Sequence, residues 1–180
     1  MPESVPSLLA PWSSFYVVTG SSAAGLTGLM FVVISLVRAQ EAQSSRDGIS
    51  TFSTPTVMHF AASLFVSAIL VAPWRSLLYP GVFVAIVGLY GVVYILRIAL
   101  RTKRLRTYRA DLEDWTWYTF LPFVAYGAIF GGGLELSAHA APKGLFAVAG
   151  GALLLVFIGI HNAWDVVTFL ATGGPTARSE

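Results

Sequence analysis

The chain has 180 residues, a formal net charge of +2 and no Cys; 56% of its residues are hydrophobic and only 11% are charged. A soluble domain carries about 25% charged residues, so this composition excludes an ordinary water-soluble domain. The absence of Cys excludes disulfides, thiolate metal sites and a Cys nucleophile.

Several windows meet the criterion of about 18 or more mainly apolar residues that marks a transmembrane helix. Read in order, they predict an all-α integral membrane bundle of five transmembrane helices, forming a single domain over residues 1–180. The start, Met1-Pro2-Glu3-Ser4-Val5, lacks the basic segment of a cleavable signal peptide, so the first span is expected to be retained. That span covers residues 12–37. Trp12, Phe15 and Tyr16 fit an interfacial aromatic belt and Arg38 marks the other end. Within it Gly20, Ala24 and Gly28 recur every four residues, a small-residue face that lets another helix approach closely.

After a polar loop, Thr54-Pro55 reads as an N-cap followed by Pro at the first helical position. This opens a second span over 55–73 that contains His59. The third span, 80–98, follows Pro80-Gly81 and ends near Arg97. Next comes the most charged segment, in which six basic residues between Arg97 and Arg109 precede Asp111, Glu113 and Asp114. The acids suit the N-terminus of the fourth helix, which spans 115–137 and has Trp115, Trp117 and Tyr118 as its belt. It carries Pro122 as a candidate kink and Gly131-Gly132-Gly133 just before Glu135. The fifth span, 144–171, is apolar except where His161, Asn162 and Asp165 interrupt it; Gly173 is then expected to open a flexible tail over 173–180, which lies outside the residues described below.

The stretch Phe15-Tyr16-Val17-Val18-Thr19-Gly20, with Ala23-Ala24-Gly25-Leu26-Thr27-Gly28-Leu29-Met30-Phe31-Val32 after it, resembles the first helix of a group of small uncharacterised bacterial multi-pass membrane proteins. The resemblance covers the first span, implies a membrane location and implies no activity. No functional residue is carried over from it.

The basic residues predict an orientation. With the 97–109 loop cytoplasmic, nine Lys and Arg lie on that side, and Arg75 and Lys143 alone lie on the other. By the positive-inside rule the protein is expected in a bacterial inner membrane, N-terminus outside and C-terminus cytoplasmic. Membrane lipids are then its immediate partners. Arg97, Arg101 and Arg104 share a helical face, and Arg101 and Arg104 are candidate ligands for anionic head groups. The small-residue face is expected to pack on a helix of the same chain ahead of a second copy; self-association, or a membrane-protein partner, is expected as well. Nucleic acid is not an expected partner, because the basic cluster is juxtamembrane and lacks interleaved aromatic readers.

Ionisable groups inside membrane helices are costly and usually face the bundle interior. His59, His161, Asn162 and Asp165 therefore form the candidate site, with Arg38 and Arg97 as candidate charge partners and Glu135 as a separate polar group at the opposite end. His161 and Asp165 are four apart and share a helix face. Carboxylate plus imidazole suits a proton or small-cation path, and a channel or transporter-like protein is the leading expectation. The same residues could instead form a structural network in a non-transporting scaffold or accessory subunit. A further alternative is haem held by His59 and His161; no resident cofactor is otherwise expected, with a divalent metal as a lesser alternative. Enzymatic activity is not expected. Gly20-Ser21-Ser22-Ala23-Ala24 lacks the final Gly of a nucleophile elbow.

Overall fold

The structure, a computed structural model, describes residues 8–40, 49–104, 115–138 and 141–171. Among these the protein is helical throughout, with no strand. A 3-10 turn at Ala10–Trp12 leads into α1 (Ser13–Gln40). α2 (Ile49–Val71), α3 (Leu78–Arg104), α4 (Leu121–Ser137) and α5 (Ala141–Ala171) follow, and a π-helical turn, Thr116–Phe120, precedes α4.

Four of the segments are long and apolar enough to cross a membrane: Ala10–Ser35, Leu78–Leu100, Thr116–Ser137 and Lys143–Asp165. α2 is the exception to the five expected spans. Its apolar part, Pro55–Val71, is about 26 Å long at 1.5 Å per residue, short of the hydrocarbon core of about 30 Å. The six residues before it, Ile49-Ser50-Thr51-Phe52-Ser53-Thr54, are mostly polar. The start of α2 also corrects the expected cap. The helix begins at Ile49, so Pro55 lies inside it rather than at its first position. Membrane helices tolerate Pro because neighbouring groups satisfy the carbonyl it leaves unbonded.

α5 is the axis of the bundle. It packs against α4 on one side and α2 on the other, and touches α1; α3 lies outside α4, and α1 outside α2. More than half of the apolar part of α5 is buried, the largest share of the four spanning segments. Glycine makes the α4–α5 and α3–α4 seams close. A methyl group at Gly132 would stand 2.8 Å from the Gly144 carbonyl oxygen, and one at Gly133 would stand 2.8 Å from that of Gly81. Backbones in such contact gain dispersion attraction, which has to hold helices together where lipid removes the hydrophobic drive. The three consecutive glycines therefore stay helical, with Gly132 and Gly133 as packing surface and Gly131 facing outward.

The small-residue face of α1 divides. Gly20 packs on α2, where an added methyl would come within 2.9 Å of Ser67 Cβ. Ala24 and Gly28 are exposed, and Gly28 has no neighbour within reach in the chain. The face that α1 buries instead runs through Tyr16, Thr19, Ala23 and Met30. Tyr16, expected in the aromatic belt, is 1% exposed, and its hydroxyl donates to the Leu145 carbonyl at 3.4 Å.

Candidate functional site

α2 carries the polar line of the interior. Thr56, His59, Ser63 and Ser67 follow one another at steps of three, four and four, which places them on one helix face. All four are buried, none more than 2% exposed. The face is apolar elsewhere, so these groups turn inward where other helices can meet them. The Ser63 hydroxyl donates to the Ala152 carbonyl of α5 at 3.0 Å. His59 Nδ1 and the Tyr126 hydroxyl of α4 are 3.0 Å apart and share a hydrogen bond whose direction depends on the imidazole tautomer. One polar face of α2 thus reaches both α5 and α4.

Tyr126 can stand there because residue 91 is glycine. A methyl group on Gly91 of α3 would fall within the Tyr126 ring itself. On the far side Gly159 of α5 similarly leaves room for the ring of Phe60, next to His59.

His59 stands ten residues into α2, about 15 Å from its start. Its Nε2 is buried and meets no hydrogen-bond partner among the described residues; nor does Ser67 Oγ. Asn162 of α5 is 0% exposed, and neither its amide nitrogen nor its oxygen has a partner among them. α2 and α5 run antiparallel, since Ser63 meets Ala152 and Phe60 meets Gly159. Continuing that alignment by one turn puts Asn162 level with Thr56, one turn from His59. Buried polar atoms in apolar surroundings cost several kcal/mol each when unbonded, and bundles seldom keep them without use.

His161 and Asp165 occupy a more open place beyond this line. His161 Nδ1 lies 3.3 Å from Asp165 Oδ2, an ion-pair distance without hydrogen-bond geometry. The two side chains are 28% and 46% exposed, so the carboxylate stands at the edge of the bundle rather than in its core. The indole of Trp117, in the π-helical turn before α4, lies flat on the His161 ring at 3.8 Å between centroids and 6° between planes. Trp117 therefore serves as a wall for His161, in addition to any part in an interfacial belt. π-turns recur at functional sites because they re-aim one side chain.

The residues singled out from sequence are thus distributed over two stations. His161 and Asp165 meet one another; His59 meets Tyr126; Asn162 lies at the level between them. Arg97, a candidate partner for Asp165, is exposed, and its side chain forms no ion pair among the described residues. The side chains of Arg38, Arg101 and Arg104 lie outside the described ones. Glu135 is exposed and makes no ion pair among the described residues. No three His, Asp or Glu side chains come together among them either.

Tyr126 and Ser63 were not singled out from the sequence, and Trp117 was expected only as part of the interfacial belt. The spacing of Ser63 with His59 was legible as a polar stripe. Nothing local marks Tyr126 or Trp117, whose roles arise from packing against residues far away in the chain.

No protein-family model matches the chain, and no curated protein or solved structure is significantly similar to it.

Proposed function

We propose that this protein carries protons across a bacterial inner membrane along the buried polar face of α2, with Asn162 and the His161–Asp165 pair completing the route. The observation that carries this reading is Asn162: wholly buried, with both amide atoms unbonded among the described residues. A purely structural network would be expected to satisfy such a group, whereas a conducting path needs groups that exchange partners. Hydroxyl, imidazole and phenol groups each donate and accept, which suits a proton relay better than a metal cation, whose coordination calls for several oxygen ligands. Ser67, Ser63 and His59 are about 6 Å apart along the helix, a gap that a single bridging water spans. His161, 3.3 Å from the half-exposed Asp165, would exchange protons with solvent through that carboxylate. With α2 crossing as the fifth helix, its polar start on the cytoplasmic side, the nine-to-two distribution of basic residues supports an external N-terminus and a cytoplasmic C-terminus. This orientation puts the His161–Asp165 station on the cytoplasmic side.

The hydrogen bonds of His59 to Tyr126 and of Ser63 to Ala152 favour the second reading, a scaffold whose polar groups only fasten helices. Proton flux in proteoliposomes separates the two. Wild type should dissipate an imposed pH gradient faster than empty vesicles. Asn162→Leu should slow it at least about tenfold while the helical circular dichroism stays intact. A variant that folds and conducts like wild type, or a wild type with no flux, would leave the scaffold.

A further inference from the structure

At the end of the bundle remote from His161, α1 begins, α2 ends and α3 has yet to start. A groove of about 380 Å³ opens there. One wall is Leu9, Ala10 and Ser13; the other is the run 70–75, from the last turn of α2 through Pro73 and Trp74 to Arg75. Its shape is set in advance. The Trp74 indole N–H donates to the Ile69 carbonyl at 2.6 Å, so the ring cannot swing away, and Phe83 backs it at 6.0 Å between centroids. Leu9 and Leu70 are buried at the base of the groove. Ser13 and Arg75 are exposed at its rim, and Arg75 forms no ion pair among the described residues.

An ordinary interfacial Trp turns its N–H towards the head groups; this one spends it on the backbone and offers its ring as a wall. An apolar floor with a guanidinium at the lip, unpaired among the described residues, matches an anionic amphiphile. Arg holds phosphate by paired, charge-assisted hydrogen bonds. The volume is at the small end of ligand pockets, enough for a phosphodiester head group and its first methylenes, with the acyl chains left in the bilayer.

We propose that this groove is a binding site for one anionic phospholipid. The phosphodiester lies against Arg75 and the Ser13 hydroxyl, and the start of an acyl chain lies over Leu9 and Leu70. The site is separate from Arg101 and Arg104, which stand in the last turn of α3 at the opposite end, and it does not depend on proton transport.

The test uses the full-length protein with Arg101→Gln and Arg104→Gln, which keeps those residues out of the measurement. Native mass spectrometry counts the lipid retained after equilibration with vesicles of equal parts phosphatidylglycerol and phosphatidylcholine with the same acyl chains. One phosphatidylglycerol per chain should be retained, with a preference on the order of tenfold, the contribution of one charge-assisted contact. Arg75→Gln should abolish the preference, and Ala10→Phe, which fills the groove, should remove the retained lipid. Both should melt like the background protein. Equal retention of the two lipids, an undiminished preference in Arg75→Gln, or unchanged retention in Ala10→Phe would overturn the proposal. Displacement of the lipid by millimolar glycerol phosphate would overturn it too, since the site would then belong to a soluble anion.

Discussion

Gly91 joins the packing of α3 to the chemistry of α2, and Gly91→Ala tests that link. The added methyl would fall among the ring carbons of Tyr126, which is 2% exposed. Either α3 moves away from α4 or the ring turns. Overpacking a close seam costs about 1–3 kcal/mol. Turning the ring also breaks the 3.0 Å bond to His59, which adds about 1 kcal/mol at a helix interface in lipid. A total of about 2–4 kcal/mol is expected, read as a lower midpoint in denaturant titration of the detergent-solubilised protein. Gly28→Ala is the control, because a methyl there meets nothing within 4 Å, and alanine favours a helix over glycine. Tyr126→Phe separates the two contributions, removing the bond while leaving the packing. The reasoning fails if Gly91→Ala melts with wild type, or if Gly28→Ala is as damaged as Gly91→Ala.

Other outcomes follow from the same contacts. Ser63→Ala loses the bond to Ala152 and should destabilise by about 1 kcal/mol, measured in the same titration; a loss above about 3 kcal/mol would mean that the serine does more than fasten two helices. Trp117→Ala removes the ring stacked on His161. It should cost at least about 0.5–1.5 kcal/mol and shift the His161 ring resonances in a spectrum of the labelled protein, whereas unmoved resonances would contradict the stack. Asn162→Leu exchanges an unbonded buried amide for an apolar group of similar size and should stabilise by about 1–3 kcal/mol, so a lower midpoint would indicate that the amide has a partner. Glu135→Gln, at an exposed position without an ion pair among the described residues, should change stability by no more than about 0.5 kcal/mol.

Composition alone determined the class of this protein. With so few charges and such long apolar runs, the backbone must satisfy its hydrogen bonds internally, and helices do so segment by segment. Sequence therefore located the helices, including the long one that proves central, and the i, i+4 spacing that brings His161 to Asp165 is a property of any α-helix. The polar line on α2 obeys the same spacing, although His59 is the one member of it that was expected as a site residue. Which side of each helix would be buried was not. In water, burial follows the apolar stripe; in lipid both faces are apolar, so periodicity no longer separates interior from surface. That is why Gly20 faces α2 while Ala24 and Gly28, on the same repeating line, face outward.

Only the tertiary structure could bring Tyr126 to His59, 67 residues away, or Trp117 to His161 across α4 and α5. The first depends on the space left at Gly91 and the second on the π-turn that carries Trp117. These steric details act between helices, where no local pattern in the chain records them.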